Sequence, residues 1–296
     1  MNTILVLVLV TGIVCAIFDV LLNLNLVWII VLKKSQRKPE MRLFYYRFVL
    51  DVCFGLSLLS YISFLLFYSE NSLFMVEHRS FLIFLGLPWY IVGSCRSIIA
   101  LSIALERATA VYFPILYRTS AQNVPKFLIF QVALVYGSFD YIVLFVFCDC
   151  KTNLIPENCK NFGCAVNKCF SNYFRIQRST VFSINVFVSI LLFVNLFLRN
   201  RKYLKKHPIN NKPTKANRLA LLDTCTVFLF DFLPVFCGGM WPNIFSIEVL
   251  GPFTAVMKTI GCAIESTVVS SLLYFGKPKS AKMKSSVAVG QFKISR

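Results

Sequence analysis

Charge is scarce in this sequence. Asp, Glu, Lys and Arg together make up 15% of the 296 residues, against ~25% in a soluble globular domain, so water is excluded as the solvent of most of the chain. Histidine is scarcer still: only His78 and His207 occur, one on each side of the apolar spans described below. That excludes a histidine-ligated metal centre inside a membrane, and no nucleophile motif stands out. An enzyme is thus the weakest class of function, and no cofactor is expected. The sequence also lacks any Asn-x-Ser/Thr acceptor, so glycosylation gives no mark of which loops lie outside. Acidic residues number 13 against 31 basic ones, a formal net charge of +18. No basic stripe is interleaved with exposed aromatic residues, which argues against a nucleic-acid partner.

What is abundant is apolar: 57% of the residues are hydrophobic and 30 are Phe. They fall in long uninterrupted runs such as Ile4 to Leu32. A window of about 20 residues, enough to cross roughly 30 Å of hydrocarbon at ~1.5 Å per residue, picks out seven spans. They cover approximately 4–32, 43–68, 80–112, 127–147, 178–199, 219–241 and 251–275. The expected fold is an all-α membrane protein, a seven-transmembrane helix bundle over residues 1–276 followed by a short basic tail, 277–296. The first run has no basic n-region and leads directly into Lys33, Lys34, Arg37 and Lys38, the pattern of a retained signal anchor rather than a cleaved signal peptide.

The basic residues orient the bundle. Of the 31, 22 lie on the side of the loops after spans one, three and five and of the tail, six lie on the opposite side, and Arg47, Arg96 and Lys258 lie within spans. The positive-inside rule then predicts an extracellular amino terminus and a cytoplasmic carboxyl terminus.

Five of the eleven cysteines, Cys148, Cys150, Cys159, Cys164 and Cys169, crowd the loop between spans four and five. On the extracellular side, disulfides that stiffen a lid over the mouth of the bundle are the leading reading, with zinc-binding thiolates as the alternative. Five is odd, so two bridges leave one thiol over, and sequence alone does not give the pairing. The other six, at positions 15, 53, 95, 225, 237 and 262, fall inside spans as small packing residues.

A charge at membrane depth is costly, so each one within a span calls for a partner or an interface. Glu106-Arg107 lies near the cytoplasmic end of span three. An adjacent acid and base there can exchange partners with a neighbouring helix, a two-state latch, or simply snorkel to water. Arg96 sits eleven residues earlier, roughly 16 Å along the axis, and needs a counter-charge; Asp231 and Glu265 lie at comparable depth. The result is either a polar floor to a ligand pocket or a structural ion pair. Lys258 is expected to reach water more easily. Asn23 and Asp51 flank the first basic loop within the inner half of the membrane and are placed to face each other, as packing glue or as a site for water or an ion. With Asp231 they form the expected intramembrane polar network. Depth and polarity select Tyr90, Arg96, Phe187, Phe236 and Glu265 as ligand-pocket candidates. Trp28, Trp89 and Trp241 are placed as interface anchors, and Pro234 predicts a kink in span six.

The chain resembles the nematode serpentine chemoreceptors, and among them class BC. The resemblance rests on Arg42-Leu43-Phe44-Tyr45-Tyr46-Arg47-Phe48 running into Asp51, and on Ala104-Leu105-Glu106-Arg107 through Val111-Tyr112-Phe113-Pro114-Ile115. Its most specific part is Asn161-Phe162-Gly163-Cys164-Ala165-Val166-Asn167-Lys168-Cys169. It implies a receptor in the plasma membrane of sensory neurons, in their cilia, whose partners are a small-molecule odorant or other external chemical, a heterotrimeric G protein and the lipid bilayer. Glu106-Arg107 would then stand where rhodopsin-like receptors carry their acid-Arg pair. Two rhodopsin-like features are missing: a cysteine near Leu82, and an Asn-Pro pair at the end of span seven, Leu272-Leu273-Tyr274-Phe275-Gly276. The rival reading is a ligand-gated channel or a transporter of a small solute. Transporters carry internal repeats with broken helices in matching places, and none is visible here; a channel of the insect odorant type should have its amino terminus inside.

Overall fold

A computed structural model describes residues 3–32, 42–70, 78–121, 124–152, 155–156, 159, 161–206, 222, 225–241 and 252–274. Among the described residues the chain is helical and contains no strand. Its principal helices are α1 (Thr3–Leu32), α2 (Arg42–Glu70), α3 (Phe81–Tyr112), α4 (Lys126–Ile142), α5 (Lys168–Lys206), α6 (Leu233–Met240) and α7 (Phe253–Tyr274). A π-helical stretch, Val143–Phe147, extends α4, and another, Val227–Phe232, precedes α6. The basic loop at 33–38, most of the basic stretch 199–218, Pro242 and the tail 277–296 lie outside the described residues.

Among the described residues, five helical segments are long and apolar enough to cross a bilayer: Thr3–Ile30, Arg42–Phe67, Phe81–Tyr112, Lys126–Phe147 and Lys168–Asn195. The fifth helix begins at Lys168, whereas apolarity alone starts that span at 178. Arg175, Gln177 and Arg178 interrupt the hydrophobic window, yet the turns before them bury Phe170 and pack Tyr173 and Phe174 against the core.

The bundle encloses its span charges in an otherwise apolar core and turns much further apolar surface outward. On α1 the buried positions are Leu9, Gly12, Ala16, Asp19, Asn23 and Leu26, alternating three and four residues apart, so they form one stripe. Leu7, Val14, Leu21 and Trp28 point away from it and are exposed. Lipid tails are as apolar as leucine, so burying leucine does little to join helices in a bilayer; close packing and interior polar contacts must do it. Gly137 on α4 shows the first of these: a Cβ there would lie 2.3 Å from Cys95 Sγ and 2.8 Å from the Ile91 carbonyl oxygen on α3.

α3 is the central post, packed against α2, α4 and α5, while α1 joins α2 to α7 and α7 leans on the π-helical start of α6. That widened stretch has a local cause. Pro234 has no N–H to donate to the carbonyl four residues back, and the turns before it take the wider π spacing, which is how this span accommodates its proline.

Candidate functional site

Five helices deliver charge to the middle of the bundle. Arg96, halfway along α3, donates its Nε to Asp51 of α2; its Nη1 lies 3.3 Å from Asp231 Oδ2 and its Nη2 3.5 Å from Glu265 Oε2 of α7. Glu265 Oε2 also receives Nη2 of Arg47, from α2, at 2.7 Å. Lys258 Nζ of α7 lies 3.7 Å from Asp231 Oδ1. On α1, Asn23 Nδ2 donates to Asp19 Oδ1 at 2.7 Å. All of these side chains are buried. A guanidinium suits the hub because it presents five donors in a fixed plane, enough to address carboxylates on three helices at once; an ammonium is a point charge and cannot. A narrow crevice lined by Arg96, Thr226, Asp231 and Lys258 runs beside the knot, bounded by Phe230 and Gly261.

One end of the bundle is closed by the cysteine-rich loop. Disulfides join Cys148 to Cys169 and Cys159 to Cys164, with Cα separations of 5.7 and 5.5 Å, and leave Cys150, which is buried, as the free thiol of this loop. Between the bridges, Asn161 caps a short helix, Phe162–Ala165, by accepting the Cys164 N–H at 3.1 Å. That turn drives Phe162 into the bundle. Its N–H donates to the Tyr61 hydroxyl at 2.9 Å, its ring stacks on Tyr90 with centroids 4.5 Å apart, and it sits so tightly on Gly86 that a Cβ there would come within 2.2 Å of Phe162 Cδ2. Asn167 then donates to the Cys148 carbonyl and accepts the Phe170 N–H at 2.9 Å, fixing the first turn of α5. Asp149, between two cysteines, takes a left-handed φ of 43°, which Asp tolerates better than most residues.

Below the lid the lining is aromatic. Tyr90 contacts Trp89, Phe162 and Phe174. Arg178 of α5 faces the rings of Phe174, Phe182 and Tyr90 at 5.0, 5.8 and 6.0 Å. Asp140 of α4 is buried beside it and accepts Ser94 Oγ at 2.6 Å, Gln177 Nε2 at 2.9 Å and the Tyr173 hydroxyl at 3.1 Å, tying α3, α4 and α5 together.

A family model described as "Serpentine type 7TM GPCR chemoreceptor Srbc" matches residues 1–277, nearly the whole chain. The chain belongs to the Srbc family of serpentine seven-transmembrane chemoreceptors. It is a multi-pass membrane protein of that receptor class. None of the curated proteins matches it.

In this Srbc chemoreceptor the Asn161 to Cys169 motif, the most specific part of the resemblance, builds the lid. The second motif builds the opposite end. Glu106 Oε1 receives Lys126 Nζ at 3.0 Å and the Tyr117 hydroxyl at 3.1 Å, so its carboxylate ties α3 to the following loop and to the start of α4. Arg107 beside it is buried. The Tyr112 hydroxyl donates to the Leu191 carbonyl of α5 at 2.8 Å. Beyond it, Phe113 and, on the short Pro114–Leu116 turn that follows, Ile115 are 62% and 78% exposed.

Several sequence expectations change place. Arg96 meets both Asp231 and Glu265, and meets Asp51 as well, so Asp51 serves the arginine while Asn23 turns to Asp19 on its own helix. Lys258 does not reach water: it is 1% exposed, enclosed by Phe54 of α2, Gly93 of α3, Phe182 of α5 and Asp231 of the π-helical stretch before α6. Of the pocket candidates, Tyr90 lies under the lid and Arg96 and Glu265 belong to the knot. Phe187 and Phe236, at 63% and 47% exposed, point out of the bundle, since aromatic content does not tell a lipid-facing ring from an interior one. Trp89 is buried against Phe54 and Tyr61 rather than anchored at an interface. Arg47, Asp19 and Asp140 were missing from the expected site; each is an ionisable residue within an apolar run, the signal that could have found them.

Proposed function

We propose that this protein is a chemosensory G-protein-coupled receptor, held in the plasma membrane of sensory cilia with its amino terminus outside. A small external chemical binds in the outer half of the bundle beneath the disulfide-tied lid, and a heterotrimeric G protein is activated at the opposite end. The observation that carries this reading is the Arg96 knot. It joins α2, α3, the π-helical stretch before α6 and α7 through one guanidinium, between the lid and Glu106-Arg107.

A ligand shifts a conformational equilibrium only by binding one state better than the other. Displacing α6 or α7 near the knot trades Asp231 and Glu265 partners on Arg96, so a ligand above it can bias the arrangement of helices below it. α6 is the element built to move, because its π-helical start and Pro234 leave fewer regular hydrogen bonds there. At the inner end, Glu106 clamps Lys126 and Tyr117, and the exposed Phe113 and Ile115 offer an apolar contact for the G protein.

The test is expression in cells with a promiscuous Gα subunit, followed by external odorant panels. Second-messenger responses that vanish when the Gα subunit is removed support the receptor. Odorant-evoked membrane current that persists without any G protein contradicts it and favours a ligand-gated channel; uptake of solute without signalling favours a transporter.

A further inference from the structure

We infer that the outward face of α4 is a dimer interface, on which a second copy of this chain packs in parallel so that Gln131 and Ser138 each meet their own counterparts. The inference stands apart from the receptor reading and holds whichever way the chain runs through the bilayer.

α4 and its π-helical extension make a span of 22 residues, Lys126–Phe147, about 33 Å long. Its buried positions Ala133, Gly137 and Asp140 face the bundle, where Gly137 meets α3 and Asp140 meets α3 and α5. At about 100° per residue, the opposite side of the helix carries Leu128, Gln131, Val135, Ser138 and Ile142, all exposed. These recur at alternating intervals of three and four residues, the spacing of a seam along which two parallel helices pack.

Two members of that seam are polar. Gln131 lies five residues beyond Lys126, about 7.5 Å into the span, and Ser138 lies near its middle. Neither side chain has a hydrogen-bond partner among the described residues. Other span hydroxyls are satisfied at home: Ser57 and Ser60 of α2 and Ser102 of α3 donate to carbonyls of their own helices at 2.8, 3.0 and 2.8 Å. Lipid tails accept no hydrogen bond, so an amide turned toward them keeps its desolvation cost.

A second copy removes that cost. Chains carrying the same basic loops cross the bilayer in the same direction, so a two-fold axis along the membrane normal sets each residue of the seam against its own counterpart. Self-pairing requires a side chain that both donates and accepts, which amides and hydroxyls do and charged groups do not. The partial charges are complementary in both directions: the N–H of each Gln131 faces the carbonyl oxygen of the other, for two hydrogen bonds across the axis. Leu128, Val135 and Ile142 fill the seam around the polar pairs, and the amide pair fixes its register, as a single polar residue does in a coiled coil.

The experiment reconstitutes the full chain, labelled with donor or acceptor fluorophore at the carboxyl terminus, in phosphatidylcholine vesicles over a series of protein-to-lipid ratios. Energy transfer is expected to rise with that ratio and to level off at the value for a dimer. Gln131→Leu should weaken dimerisation about tenfold, a loss of ~1.4 kcal/mol. Gln131→Asn should keep part of it, and Ile190→Ala, on the exposed face of α5, should leave it unchanged. Ser138→Cys should give a disulfide-linked dimer on oxidation with copper phenanthroline, above the background set by the parent's exposed thiols, which include Cys53 and Cys225. A chain that stays monomeric at every ratio overturns the interface and leaves lipid as the cover of this face. Dimerisation unchanged in Gln131→Leu, or a Ser138→Cys variant that never links above background, overturns it as well and places the contact on another helix.

Discussion

Arg47 and Glu265, separated by 218 positions in the chain, meet at 2.7 Å with both side chains buried. The pair fastens α2 to α7, and the same Glu265 oxygen lies 3.5 Å from Arg96 Nη2. One carboxylate therefore answers two guanidinium groups inside the bundle. Removing it takes one partner from each guanidinium, whereas removing Arg47 leaves Glu265 still facing Arg96.

Glu265→Ala is accordingly expected to cost about 3–5 kcal/mol of stability, the range for breaking a buried ion pair, and Arg47→Ala less. Thermal unfolding of purified receptor in nanodiscs measures both. Equal effects, or a Glu265→Ala variant as stable as the parent, would show that the pair carries no such weight.

The lid depends on a residue with no side chain. A Cβ on Gly86 would lie 2.2 Å from Phe162 Cδ2 and 2.8 Å from its Cγ, so Gly86→Ala must push Phe162 out of its seat. An overpacking cost of about 1–3 kcal/mol is expected. Combined with Phe162→Ala the two losses should fall short of additivity, because the clash disappears with the ring. Strictly additive unfolding free energies would contradict the seating of Phe162 on Gly86.

The two bridges close loops of different size, 21 and 5 positions. On the chain-entropy account, Cys148→Ala should lose about 3 kcal/mol and Cys159→Ala about 2 kcal/mol. Alkylation followed by peptide mass mapping should find Cys150 the one lid thiol open to reagent, and only after unfolding. Labelling of Cys148 or Cys159 in the unreduced protein would overturn the pairing.

Arg107→Ala should abolish ligand-driven signalling with surface expression largely intact, since Arg107 sits beside the Glu106 clamp at the end of the bundle away from the lid, where the proposed G protein docks. Immunostaining of unpermeabilised cells alongside a second-messenger assay separates the two effects, and unchanged signalling would refute the coupling role.

Much of the architecture was legible because its signals are local. Long apolar runs give helices, and crowded cysteines at one end give a bridged lid with one thiol left over. The site was legible only in part. Depth along a helix follows from residue number, so Arg96, Asp231 and Glu265 could be matched by level. The direction in which a side chain leaves its helix does not follow from residue number when every face is apolar. For that reason depth and polarity point to Phe187 and Phe236 as pocket residues although they face outward, and set Asp51 opposite Asn23 although it answers Arg96. The pairing of Arg47 with Glu265 is a property of assembled helices and leaves no mark in either segment.

The direction of the chain through the membrane decides whether the lid faces odorants and whether Glu106-Arg107 faces a G protein. It is tested by an epitope tag at each terminus, read with antibody on intact and on permeabilised cells. An amino-terminal tag stained on intact cells, with a carboxyl-terminal tag stained only after permeabilisation, is the expected result. An amino-terminal tag reached only after permeabilisation would contradict the receptor and favour a conducting pore.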